Sequence, residues 1–233
     1  MDYLRGKGFK KFESPGLISA ASEEELTSLN SIGVLLYIVA GPEKNCAKEI
    51  ELVRSVYPSE QFLHPVNGKE VRLTYAEGQK LLREEGPEEF RNVKDDEDTP
   101  QEKALGAVVR SKFNTDFYVL DKFPISARPF YAHPDPENPE ISKAYDFMMR
   151  GQEAISGGQR LHLPDDLVKG LISKDVDPNS PGIKEYVDVF RSAGVPPHGG
   201  GGIGLDCVVS WYLQLPSVHL ARAYPKTPKR LTP

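Results

Sequence analysis

The stretch P-P-H-G-G-G-G-I-G-L-D-C-V-V-S-W-Y-L, Pro196 to Leu213, joins a run of glycines directly to an apolar segment. Gly199, Gly200, Gly201, Gly202 and Gly204 carry no side chain, so a ligand can approach the main chain and the backbone is free to enter φ > 0. Beyond them Leu205, Val208, Val209, Tyr212 and Leu213 recur at near-helical spacing, and Asp206 suits the positive first turn of a helix beginning near Leu205. For the run alone two readings stand open. One is a flexible loop capping a core helix; the other is a bare-backbone site at a helix start, whose amides attract anions.

Working outward, 233 residues with 39% hydrophobic and 27% charged side chains describe a globular chain long enough to bury a sizeable core as one domain, residues 1–233. A net charge of −5 opposes a protein whose main work is broad phosphate-backbone binding, while leaving room for a local basic patch. Cys46 and Cys207 lie far apart and without metal-type spacing, so the expectation is no disulfide framework, no zinc site and a reducing compartment. No apolar run reaches the length of a membrane span, and the start M-D-Y-L-R-G-K-G-F lacks the apolar core of a signal peptide. The expected location is cytoplasmic.

Local signals place several elements. Ser22 reads as a helix N-cap with Glu25 completing a capping box, and Thr74 does the same with Glu77 for a helix ending at Gly86. Cys46 reads as a small buried residue on a helix face. N-V-K-D-D-E-D-T-P-Q-E is a solvated acidic connection before the helix E-K-A-L-G-A-V-V-R, and T-D-F-Y-V-L-D-K-F-P, Thr115 to Pro124, reads as a buried strand.

These segments together resemble a known family. P-P-H-G-G-G-G-I-G-L-D and the ending P-K-T-P-K-R-L-T-P are similar to motif 3 and the C-terminus of class II aminoacyl-tRNA synthetases, of the eukaryotic and archaeal aspartyl type. Y-D-F-M-M-R-G-Q-E-A-I-S-G-G-Q-R, Tyr145 to Arg160, resembles the family's magnesium-binding and aspartate-binding segment, and F-K-K-F-E-S-P resembles motif 1, its dimer element. The resemblance implies an α+β fold: an antiparallel sheet flanked by helices, reduced from the catalytic-domain fold of that class. It also implies three departures. Motif 2, with its arginine for the α-phosphate, is missing through an internal deletion near residues 26–45. Glu24 and Glu25 stand where a loop that closes over the amino acid has glycines. Cys207 stands where motif 3 has a phosphate-gripping arginine, and a thiol cannot reproduce that bidentate cation.

By the same resemblance Asp146 and Glu153 correspond to magnesium ligands, and Arg160 to the arginine that grips a side-chain carboxylate, with Ser156 and Gln159 beside it. Asp and Glu are hard oxygen donors, and an arginine fork suits a carboxylate. Glu153 and Arg160 can equally be read as one charged pair inside the sheet. Gly201 and Gly202 would supply bare backbone to the ligand. Cys207 in a helix's first turn, with His198 upstream as base, reads either as a nucleophile or as a packing residue.

With both phosphate grips gone, the expected function is a repurposed synthetase-like enzyme acting without ATP or tRNA on a small carboxylate-bearing molecule, in specialised biosynthesis, with no cofactor or metal and as a homodimer. A non-catalytic partner or regulatory protein of a full-length synthetase, and a residual aspartate-activating ligase, are the alternatives.

Overall fold

The computed structural model describes residues 17–20, 24–91 and 99–225. Phe9 to Pro15 of the first segment, the Ser22 cap, most of the acidic connection and the residues after Pro225 lie outside these. Among the described residues six strands form one sheet: β1 (Leu17–Ala20), β2 (Val71–Thr74), β3 (Phe117–Asp121), β4 (Ala144–Met149), β5 (Gln152–Arg160) and β6 (His198–Ile203), in the spatial order β1-β6-β5-β4-β3-β2. Seven α-helices accompany them among the same residues: α1 (Glu24–Asn45), α2 (Ala47–Val56), α3 (Tyr75–Glu85), α4 (Thr99–Phe113), α5 (Pro164–Ile172), α6 (Ile183–Ala193) and α7 (Leu205–Tyr212). The α+β reading holds with one refinement. Neighbouring strands are antiparallel except β2 and β3, which are parallel because α3 and α4 carry the chain back over the sheet between them.

β3 and β4 are buried along their whole length, as strands covered on both faces must be. On one face Phe117, Val119, Tyr145, Phe147 and Ile155 pack under Leu35 and Val39 of α1, Ile50 of α2, and Val208 and Tyr212 of α7. On the other, Tyr118, Leu120 and Met148 pack under Leu81 and Leu82 of α3 and Leu105 and Val109 of α4. A third cluster joins α5 and α6 through Leu167, Leu171, Val187 and Phe190. The expected strand at Thr115 to Pro124 is β3, and the expected cap on α3 is present. Thr74 Oγ1 accepts the Glu77 amide at 3.2 Å while the Glu77 carboxylate accepts the Thr74 amide at 2.8 Å, and Gly86 closes the helix.

Two expectations change. The glycine run is no loop at a helix start: Gly199 to Gly202 form the middle of β6, laddered to β1 on one side and β5 on the other, with none of them in the left-handed region. Close approach explains part of the glycine content. A Cβ on Gly201 would stand 3.1 Å from the Ser156 carbonyl oxygen, and one on Gly157 would stand 2.9 Å from that of Gly200. Cys46 is exposed rather than buried. It sits at the break between α1 and α2, with φ −127°, its amide donating to the Pro42 carbonyl at 2.7 Å. The region near residues 26–45, where an internal deletion is expected, lies within α1. Among the described residues no strand falls between Ala20 and Val71, and no helix is long and apolar enough to cross a membrane.

The lower end of the sheet is fixed by one carboxylate. Asp116, just before β3 and almost wholly buried, accepts the Leu63 amide at 2.8 Å, binds Arg110 of α4, and lies 3.5 Å from Nε of Arg150. Its carbonyl also accepts the Arg150 amide at 2.8 Å. Arg150 and Gly151 form the two-residue turn of the β4–β5 hairpin, with φ of +50° and +71°, a turn in which both residues are left-handed. Gly151 is required there twice over, because the α4 backbone at Glu102 would stand 2.5 Å from any Cβ it carried.

At the other face of α1, Glu43 accepts from the Tyr212 hydroxyl at 2.9 Å and from His64 Nε2 at 2.8 Å, tying α7 and the segment after α2 to α1. Burial, then the Glu43 carboxylate, pushes the Tyr212 phenol up to about 12. Because the folded value exceeds the ordinary one of about 10, the unfolded chain ionises first; this stabilisation is complete below pH 10 and is lost as pH rises toward 12. Spectrophotometric titration should find Tyr212 among the last phenols to ionise, and Tyr212→Phe should flatten the loss of stability in that window. Asp116→Asn should lower the unfolding free energy by about 3–5 kcal/mol in denaturant titration, since it leaves Arg150 charged, buried and uncompensated.

Candidate functional site

The β4–β5 hairpin carries the sequence-marked side chains, and strand parity decides which of them share a face. Asp146 pairs with Ser156, and Met148, two residues on, belongs to the core under α3 and α4. Asp146 and Ser156 therefore lie on that face, as do Gly158 and Arg160 by alternation. Glu153 would fall on the opposite face of a regular strand. A bulge puts Ala154 out of register and pairs Glu153 with Met148, which returns Glu153 to the side of Ser156. The helices α3 and α4 cover β2–β4 and the turn end of β5, so toward Arg160 and over β6 the face opens into a cavity.

That cavity has a volume of about 80 Å³, several times what one water requires. Its walls include Arg128, Tyr131, Ser156, Gln159, Arg160 and Gly200. The guanidinium of Arg160 stands 4.8 Å from the centre of the Tyr131 ring, and among the described residues it has no carboxylate within ion-pair distance. Tyr131 is held in place by the chain around it, its carbonyl accepting the Leu161 amide at 2.8 Å, with Ala132 bridged to Arg160.

Arg128 is the functional side chain that sequence reading missed. It follows the short 3-10 turn Ile125–Ala127, lies flat over the Phe123 ring at 3.6 Å, and donates from Nη2 to Asp146 Oδ2 at 2.5 Å and from Nη1 to Ser156 Oγ at 3.3 Å. The signal available in S-A-R-P-F-Y was a lone cation in an apolar, aromatic loop. Its partner, 18 residues away, was not. Asp146 Oδ1 and Arg128 Nε are buried without hydrogen-bond partners. Desolvation first, then the Asp146 charge, pushes the Glu153 carboxyl upward, with Arg128 opposing. Asp146, Glu153 and Ser156 are a hard-oxygen set, but with a guanidinium already seated on Asp146 and Ser156 they do not fit a divalent cation as they stand, and among the described residues no three His, Cys, Asp or Glu side chains gather into a metal cage.

The glycines of β6 alternate in role. Gly202 pairs with Ser156 and Gly200 with Gly158, so both lie on the cavity face, and a Cβ at either would meet no described atom within 4 Å. Nothing in the fold itself demands glycine there. Gly199 and Gly201 point the other way, against β5 backbone at 3.0 and 3.1 Å.

Arg160 and Ser156 are thus brought together with Gly200, while Gly202 flanks them, Gln159 borders the cavity through its backbone with its side chain alternating to the other face, and Gly201 turns away. Glu153 and Arg160 form no pair, being roughly 20 Å apart along β5. Nor are His198 and Cys207 joined. His198 opens β6, its Nδ1 donating to the Pro196 carbonyl at 3.0 Å, whereas Cys207 lies beyond the far end of that strand, about 17 Å along it, in the first turn of α7. α7 packs with α1 against the opposite face, and beside Cys207 the Asp206 carboxylate is bound by Arg222.

The family model for class II tRNA synthetases (D, K and N) matches residues 19–228. Cytoplasmic aspartate–tRNA ligase of Rattus norvegicus is 45% identical over 203 residues, and that of Caenorhabditis elegans 45% over 202, covering 85% and 86% of this chain but only 38% and 36% of those proteins. The aspartyl-tRNA synthetase of Entamoeba histolytica superposes with a TM-score of 0.81 at 36% identity, over 93% of this chain and 43% of that one. The asparaginyl-tRNA synthetase of Pyrococcus horikoshii gives 0.75 at 27% identity, over 93% and 49%. The chain spans less than half the length of each.

The alternation in β6 separates structural from site glycines. Gly200→Val should leave the denaturation midpoint essentially unmoved, whereas Gly201→Val should cost about 1–3 kcal/mol through overpacking against the Ser156 carbonyl. Equal destabilisation by both would remove the case for an open ligand floor.

Proposed function

The chain belongs to the class II tRNA synthetases of the D, K and N group, and on that premise we propose that it is a repurposed aspartyl-tRNA synthetase-like enzyme whose pocket holds the carboxylate of a small molecule without ATP or tRNA. One observation carries the reading: the Arg160 guanidinium faces the cavity with no described carboxylate partner, on the same face as the neutral hydroxyl of Ser156. A planar fork of N–H donors in that setting is complementary to a carboxylate. The bare backbone of Gly200 and Gly202 extends the floor on which the rest of the ligand would lie.

Two features speak against aminoacyl transfer. Cys207 occupies the position where the family resemblance places a phosphate-binding arginine, and the region where that resemblance expects a strand pair with a second arginine is filled by α1. Charge developing at phosphorus would then meet no prepositioned cation from either. Transfer of the relatives' whole activity is not implied by a match covering 38% of the rat ligase. Residual aspartate activation is the second reading, favoured by the 45% identity to aspartate–tRNA ligases. A cytoplasmic homodimer, built through the segment that resembles motif 1, completes the proposal and is checked by sedimentation.

Calorimetry and thermal shift with aspartate, succinate and AMP, run beside an ATP–pyrophosphate exchange assay, separate the readings. The expected outcome is saturable binding of the dicarboxylates with exchange at background. Arg160→Lys should weaken that binding at least tenfold, a loss of about 1.4 kcal/mol, because a point charge cannot reproduce the fork. Aspartate-dependent exchange above background would replace the proposal with the second reading.

A further inference from the structure

We propose that Arg128 stands in for a divalent cation on the face formed by Asp146, Glu153 and Ser156, so that this pocket works without metal. The proposal deepens the carboxylate-pocket reading and rests on it only for the identity of the ligand. Two carboxylates and a hydroxyl on one face of a sheet are the donor types that magnesium and manganese take, at about 2.0–2.1 Å for magnesium and with waters completing the shell. In this chain the space in front of Asp146 and Ser156 is taken by a guanidinium 2.5 Å from one and 3.3 Å from the other. An ion within coordination distance of both oxygens would crowd that group, and two positive centres on one carboxylate oxygen in a poorly solvated site repel strongly.

Displacement is opposed by how the arginine is held. Its planar head lies over Phe123 at 3.6 Å, its stem leaves a short 3-10 turn just before Pro129, and both it and Asp146 are shielded, with side chains 12% and 9% exposed. The contact is nevertheless incomplete. Asp146 Oδ1 is a buried acceptor without a partner, and Arg128 Nε a buried donor without one. Asp146 therefore retains one unsatisfied oxygen on a side chain more than nine-tenths buried, the feature expected of a carboxylate that can bind a second positive group once the first is removed.

The test uses manganese alone, read by electron paramagnetic resonance and calorimetry, on the folded full-length chain. Wild type should show no saturable site up to millimolar metal. Arg128→Gln should gain one site at least tenfold tighter than any residual wild-type binding, and adding Asp146→Asn to it should abolish that site. Arg128→Lys, which keeps the charge, should behave as wild type, a rescue that a merely structural arginine would not show. Should Arg128→Gln fail to fold, wild type against Asp146→Asn still decides. A one-site manganese isotherm in wild type that Asp146→Asn removes overturns the proposal, and so does a folded Arg128→Gln that gains nothing. Succinate binding measured in EDTA and in excess magnesium should be equal. A wild type that binds no dicarboxylate in either condition sinks the carboxylate reading and leaves the manganese result to judge Arg128.

Discussion

A buried carboxylate at the mouth of β3 holds this fold in register. Asp116 gathers Arg110 from α4, the Leu63 amide from the segment after α2, and Arg150 from the hairpin turn. All three must be in place for its charge to be compensated, and a buried charge that loses a partner is among the costliest defects a domain can carry. The consequence reaches the other end of the sheet. The β4–β5 hairpin is rigid at its turn, so Asp146, Ser156 and Arg160 project from strands whose register cannot slip by one residue without turning each of them to the opposite face.

The open part of that face is electrostatically asymmetric. Toward the covered side, Arg128 and Asp146 neutralise one another, and Glu153 is pushed toward its neutral form by desolvation and by Asp146. Toward the open side, the Arg160 guanidinium lies beside an aromatic ring. Among the described residues a ligand thus meets one cation without a carboxylate partner at the cavity and a largely balanced group behind it, which favours an anionic end and gives a second charge little to grip.

Much of this was legible in the sequence, and the failures have physical causes. The Thr74 cap could be read because a capping box is local, and β3 because an uninterrupted aromatic and β-branched run has few alternatives. The family resemblance singled out Ser156 and Arg160, which share one face of β5, and Gln159, which by alternation does not. It could not show that β6 is a strand, because glycine has neither side-chain alternation nor β-propensity, and only the flanking β1 and β5 hold it extended. The bulge at Ala154 was hidden for the same reason: register belongs to a pair of strands, not to one. Cys46 looked apolar and buried, but it falls at the break between α1 and α2 and is exposed. Arg128 was missed because its meaning lies in Asp146, across a chain reversal that no local pattern encodes.

The cavity's charged side chains, Arg128 and Arg160, its ring, Tyr131, and the carboxylates behind Arg128, Asp146 and Glu153, come from a single continuous segment, residues 128 to 160. Closing so short a loop costs little chain entropy, and most of its contacts are made by one hairpin and the loop before it. The pocket is in that sense a cassette. Most of its charged geometry is internal to one supersecondary unit, so segments that touch neither Asp116 nor the β6 floor can be lengthened or exchanged while the constellation keeps its shape. A lineage can thereby shed the machinery for one reaction and still inherit, intact, the means of holding a substrate.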